Sequence, residues 1–181
     1  MKKQEFKVFV EFDGTITIED VGDAIVAKFG ETEKVNNIIS NLLCDKISSR
    51  QCWDDLCECV GSVNKKELED FICSLDIEPT FKSFVEYCRV QNIELYVLSD
   101  GFDFYIDKIF SKAGLSGIKY YSNKLFVDDN GKLSASYPYF DEGSPTSANC
   151  KKNHIINHSR DEDYTVYVGD GNSDKDAAQY C

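Results

Sequence analysis

Four short stretches carry residues whose types and spacing could do chemistry. The first is Glu11-Phe12-Asp13-Gly14-Thr15, after the apolar run Phe6 to Val10. Side chains two apart on a strand point the same way, so Glu11 and Asp13 can act as a pair. One carboxylate could attack a phosphorus while the other serves as acid and base. A strand followed by an Asp-Gly turn would look the same with no function at all. The second is Ser99-Asp100-Gly101, after Ile93 to Leu98. A hydroxyl followed by backbone N–H groups near a helix start can cradle an anion, though it can equally cap that helix. The third is Lys151-Lys152, opening a helix after Asn149-Cys150. A crevice lysine would offset phosphoryl charge, and a solvated surface pair is the plain alternative. The fourth is Gly169-Asp170-Gly171-Asn172-Ser173-Asp174, after Tyr164 to Val168. Short oxygen-bearing side chains around glycines suit magnesium, and the calcium-loop spacing with its twelfth-position glutamate is absent.

Other side chains draw a plainer reading. His154 and His158 lie four apart on the helix that Lys151 opens, and without further ligands nearby they read as surface residues. The eight cysteines form no C-x-x-C pair, and no secretion signal precedes them. They read as reduced, mostly packed thiols of a cytoplasmic protein. A zinc site from Cys52, Cys57 and Cys59 is the weaker alternative, because these sit in an amphipathic helical pattern.

The elements that must position these stretches follow from periodicity. Apolar runs before each motif read as strands, and helical spacing lies between them. From Ile18 to about Asp76 the pattern is helical throughout, with Val21, Ile25 and Phe29, then Trp53, Leu56 and Val60, then Leu68, Phe71 and Leu75. Pro79 closes that stretch. Ile118 to Phe140, with Asp129-Asn130-Gly131, reads as a small β-hairpin. Strands alternating with helices predict an α/β fold with a doubly wound parallel sheet. In such sheets ligands sit beyond the carboxyl ends of the strands, so the motif loops converge on one crevice. A flavodoxin-like response-regulator domain shares the sheet and the acids. The long helical stretch after the first strand and the Gly-Asp-Gly loop near the end argue against it.

The 181 residues carry 20 basic and 32 acidic side chains, a net charge of −12. That sign argues against nucleic acid, whose affinity rests on phosphate neutralisation. No run of about 18 apolar residues suggests a membrane span.

In this order the four motifs resemble the haloacid dehalogenase superfamily, and the helical stretch after the first motif is similar to the phosphoserine-phosphatase-like subgroup. Ser99-Asp100-Gly101-Phe102-Asp103-Phe104-Tyr105, the hairpin and Asn149-Cys150-Lys151 look closer still to phosphatases of methylthioribose salvage. The resemblance implies a discontinuous core, residues 1–17 and 79–181, with a helical cap at 18–78. It implies magnesium-dependent hydrolysis of a small-metabolite phosphate monoester through an acyl-phosphate enzyme. Glu11 would be the nucleophile and Asp13 the acid and base. Glu11, Asp13 and Asp170 would hold Mg2+, with Asp174 and Asn172 behind them. Ser99, Asp100, Gly101 and Lys151 would bind phosphate, and Asp20, Arg50 and Trp53 of the cap would meet the rest of the substrate. Two departures stand out. The family carries aspartate where this chain has Glu11, and displacing a carboxylate by roughly 1 Å can cost about a hundredfold in rate. An engineered change, an active natural variant, or a phosphate-ligand binding or regulatory protein with weak or lost catalysis all fit. The chain also ends at Cys181, where relatives add a strand and a helix, so part of the core is expected to be missing and one sheet edge open. Neither substrate identity nor oligomeric state is legible.

Overall fold

A computed structural model describes residues 4–144 and 147–181, with Asn172 by its backbone alone. β1 (Phe6–Glu11) leads into four helices, α1 (Val21–Phe29), α2 (Thr32–Leu43), α3 (Ser49–Val60) and α4 (Lys65–Ile72). Then come α5 (Phe81–Gln91), β2 (Glu94–Phe102), α6 (Asp103–Ala113), β3 (Lys119–Val127) and β4 (Leu133–Ser136). α7 (Lys151–His158), β5 (Tyr164–Val168), a 3-10 turn at Asn172–Asp174 and α8 (Lys175–Tyr180) complete the described chain.

The sheet order is β4-β3-β2-β1-β5. β1 lies between β2 and β5 and pairs parallel with both, and β3 pairs parallel with β2. Only β4 is antiparallel, against β3. The central strand therefore buries both faces, which is why its sequence is apolar at Val8, Phe9 and Val10, with Lys7 beside them buried against Glu5, Glu94 and Asp163. Val8, Val10 and Phe12 face a core filled by α5, α6 and the four-helix insert. Phe9 faces the other side and packs with Tyr96, Leu98, Ile155 and Ala177, beneath α7 and α8. Helices on both faces make the sheet doubly wound.

Local signals set the helix ends. Asp20, Ser48 and Asn64 each accept a backbone N–H at the start of α1, α3 and α4. α6 stops at Gly114, whose φ of +69° suits glycine. The hairpin expected over 118–140 forms as β3 and β4, and β3 also joins the main sheet through β2. β2 also runs on through Ser99, Asp100 and Gly101, with a register shift between Leu98 and Phe102. That irregularity re-aims the Ser99 segment at the end of the strand.

No helix among the described residues is long and apolar enough to cross a membrane. All eight cysteines are free. Cys52, Cys57, Cys88 and Cys150 are buried, while Cys44, Cys73 and Cys181 are exposed, so the packed-thiol reading holds for only half of them. His154 is not a surface residue. It is 5% exposed, stacked on Tyr121 with ring centroids 4.4 Å apart and edge-on to Tyr139 at 4.6 Å.

Candidate active site

β1 delivers Glu11 at its carboxyl end, and the chain turns at once. Ile16 and Thr17 both return their N–H groups to the Phe12 carbonyl at 3.0 Å. Gly14 holds φ at +74°, and a β-carbon there would lie 2.8 Å from Asp170 Oδ2. Only glycine lets the last motif close over the first. Thr15 Oγ1 fastens that closure by donating to Asp170 Oδ1 at 2.7 Å.

Asp13 is held by three donors. Ser99 Oγ (2.9 Å) and Tyr105 OH (3.0 Å) donate to Oδ2, and the Val21 N–H donates to Oδ1 at 3.1 Å. The Gly101 N–H in turn donates to Ser99 Oγ at 2.9 Å. A side chain at Gly101 would collide with the Tyr105 hydroxyl. Burial pushes the Asp13 carboxyl upward, and the Ser99, Tyr105 and Val21 bonds pull it back only in part.

Glu11 is 5% exposed and Lys151 2%. Lys151 Nζ meets Glu11 Oε2, Asp174 Oδ1 at 2.6 Å and Ser173 Oγ at 2.9 Å. These three contacts use all three ammonium protons. Burial raises the Glu11 carboxyl well above its ordinary range, and Asp174 and Asp13 add to this against Lys151. For Lys151 burial acts downward, but Glu11, Asp174 and Asp100 outweigh it and keep the ammonium charged. Asp174 also accepts from Tyr167 OH at 2.5 Å and from the Gly171 N–H at 2.9 Å.

Asp100 borders the same crevice with both carboxylate oxygens engaged. Its carboxylate accepts Ser49 Oγ at 2.6 Å and the Asn149 N–H at 2.7 Å. Asn149 donates its side-chain amide to the Ser99 carbonyl (2.8 Å) and the Tyr121 carbonyl (3.0 Å), and its oxygen pairs with His154 Nε2 at 2.8 Å. This amide ties β2, β3 and α7 together behind the site.

These groups border a cavity of about 490 Å³ between the strand ends and the helical insert. Its lining includes Glu11, Asp13, Asp20, Trp53, Asp100, Gly101, Asp170 and Asp174. Among the described residues Ser99 and Lys151 lie just beneath that lining, not in it. Arg50 lies outside, with its guanidinium 4.4 Å above the Phe140 ring, and its neighbour Ser49 faces the cavity instead. The Asn172 side chain falls outside the described residues. Asp20 caps α1, and burial, with Asp13 nearby, raises its carboxyl to about 7. Tyr105, Tyr167, Ser49 and Thr15 were not legible as site residues. Only the strand parity of Tyr167, two before Gly169, offered a signal.

No three His, Cys, Asp or Glu side chains among the described residues already converge on one metal position. The donor set is nonetheless all oxygen, as hard cations prefer. Burial raises both Glu11 and Asp13, so these carboxylates would gain from more positive charge nearby. The residues fit a divalent cation.

The sequence matches the Putative Phosphatase family over residues 6–179. It is 30% identical to the Pdp3-interacting factor 1 of Schizosaccharomyces pombe, over 98% of this chain and 80% of that protein. It is also 30% identical to a 2-hydroxy-3-keto-5-methylthiopentenyl-1-phosphate phosphatase of Brevibacillus brevis, over 92% of this chain and 76% of that one. A phosphoserine phosphatase solved as a phospho-aspartyl intermediate analogue shares the fold with a TM-score of 0.73 at 21% identity, covering 99% of this chain and 84% of its own. A buried carboxylate–lysine site at the ends of a doubly wound sheet and these likenesses agree, and the chain belongs to the Putative Phosphatase family, as a haloacid-dehalogenase-type phosphatase of the phosphoserine-phosphatase-like kind.

Proposed function

We propose that this protein hydrolyses the phosphate monoester of a small metabolite, in the cavity between the strand ends and the α1–α4 insert, with that insert acting as a cap. One observation carries the reading: distant stretches of the chain meet at the strand ends in two adjacent hydrogen-bonded networks, Glu11 with Lys151 and Asp174, and Asp13 with Ser99 and Tyr105.

A Glu11 oxygen attacks phosphorus, the bond to the leaving oxygen breaks, and Asp13 gives that oxygen a proton. Asp13 then takes a proton from water, whose oxygen attacks the phosphoryl group and frees Glu11 and inorganic phosphate. Acid duty requires Asp13 to release Ser99 or Tyr105 first, since both its oxygens are engaged. Lys151 must likewise open one of its three contacts to reach a phosphoryl oxygen. Glu11, Asp13 and Asp170 would hold magnesium, which would neutralise phosphoryl charge when bound. The Glu11–Lys151 contact also favours a second reading, in which this chain binds phosphate ligands with little turnover.

Phosphate release from a panel of small monoesters, with magnesium and with chelator, separates the two. The expected result is metal-dependent release that rises when Glu11→Asp is introduced. No release from either protein, with phosphate binding intact by calorimetry, would leave the binding reading standing.

A further inference from the structure

Trp53 is the chain's single tryptophan. It stands on α3 as a partition between two spaces. On one side is the large cavity that holds Glu11 and Asp13. On the other is a small apolar void of about 20 Å³, lined by Gly22, Ile25, Val26, Leu56, Phe102 and other apolar residues. Trp53 and Leu56 border both spaces. Among the described residues Gly22 borders the void and not the cavity.

Two contacts fix the indole. Phe102 meets it edge-on with centroids 4.8 Å apart. Gly22 supplies bare backbone on the void side. A β-carbon at Gly22 would come closer to Trp53 Cη2 than the 3.0 Å below which something must shift, and would also press on Asp20 Oδ1 at 3.3 Å. Gly22 is buried within α1, and its φ is not one that requires glycine. Helix propensity would favour alanine there. The glycine is explained by the indole it admits.

We infer that Gly22 is a positioning residue for substrate size: it lets Trp53 sit back against α1, and so sets how much room the cavity leaves for the leaving group. This rests on the reading of the Glu11 cavity as the substrate site. A methyl group at position 22 pushes from the void side, so the ring moves toward the substrate. Replacing Trp53 by a smaller ring joins void and cavity and enlarges the space. A change of one methylene's worth of room in an apolar pocket shifts discrimination by roughly 10- to 200-fold.

The test uses methyl, butyl and phenyl phosphate with Gly22→Ala, Trp53→Phe and the double variant. Gly22→Ala should lower the phenyl-to-methyl ratio of kcat/KM about tenfold or more, with methyl phosphate least affected. Trp53→Phe should raise that ratio, and adding Gly22→Ala to it should change the ratio little. Because Trp53 is alone, its emission and acrylamide quenching report ring movement without any turnover. Altered fluorescence in Gly22→Ala with an equal proportional loss on all three esters would overturn the proposal. Unchanged fluorescence and an unchanged ratio would overturn it too. If neither the parent protein nor its Glu11→Asp variant hydrolyses any of the three, the reading of the cavity fails, and the size role fails with it. If Gly22→Ala does not fold, the Trp53→Phe ratio decides alone, and no rise counts against the inference.

Discussion

The floor and the far wall of the cavity are built on opposite principles. The floor, where β1, β2 and β5 end, is cross-linked by charged and polar side chains drawn from every part of the chain. Glu11, Lys151, Asp174, Tyr167 and Ser173 form one network, and Asp13, Ser99 and Tyr105 a second beside it. The wall, made by α1, α2 and α3, rests on apolar packing around Trp53, Leu56 and Ile39, with Ser49 to Asp100 and Tyr137 to Asp54 (2.7 Å) as polar ties to the core. A buried polar network tolerates no missing partner, whereas an apolar wall loses volume or gains it by degrees. Under the proposed function, chemistry is fixed in the floor and selectivity is adjustable in the wall.

The sharpest way to break that contrast is at Glu11. Under the proposed reaction, Glu11→Ala should abolish phosphate release, a loss of about a thousandfold or more, because it removes the attacking carboxylate. Residual release near the parent rate would move the chemistry elsewhere. Next comes Lys151→Met, which strands Glu11 and Asp174 as buried charges without their cation. Breaking a buried pair this way costs about 3–5 kcal/mol, measurable by denaturant unfolding. Adding Glu11→Gln should restore part of it, since the stranded charge is then gone.

The third effect is on pH. Burial lowers the His154 imidazole from 6.5 to about 4. At His154 the unfolded state binds more of the proton between these values than the folded state does. The contribution of His154 to stability is therefore complete above about pH 6.5 and falls as pH drops toward 4, while the raised Asp13 and Asp20 carboxyls act in the opposite sense. The loss is at most about 3 kcal/mol at 1.36 kcal/mol per pH unit. His154→Gln should flatten this slope in unfolding curves recorded from pH 7 to pH 4. A slope that survives the substitution would assign the effect to other groups. The smallest effect is expected in the wall's own tie. Ser49→Ala removes the hydroxyl from Asp100 and should cost about 1–3 kcal/mol, the penalty for one buried acceptor left short. Within the contrast, it should loosen substrate binding more than it slows turnover.

Much of this molecule was legible in its sequence, and the reason is periodicity. Phe6 to Val10 is apolar on both faces and lies in the middle of a parallel sheet. At Gly14 and Gly101 the structure shows close approaches that a side chain would obstruct. What stayed hidden was partnership. Alternation in Lys119–Val127 marks a strand, but nothing local says that it pairs with β2 as well as β4. Tyr105 is one of ten tyrosines, at an ordinary helical core position, and only the fold turns its hydroxyl onto Asp13. Arg50 looked like the polar contact from α3, yet the helix rotates Ser49 inward and leaves Arg50 to an aromatic face outside. A one-residue error in helical phase is about 100° and changes which side chain meets the substrate.

The central place of β1 has a consequence for how the enzyme comes into being. The strand bearing Glu11 is made before its neighbours β2 and β5, which come from the middle and far end of the described chain. Closing such distant pairings is slow. A nascent chain that has not yet delivered β5 also lacks Asp170 and Asp174, so the cavity floor is incomplete at that stage. Until then β1 waits without a partner on one side, and an unpaired strand edge is exposed to wrong pairing.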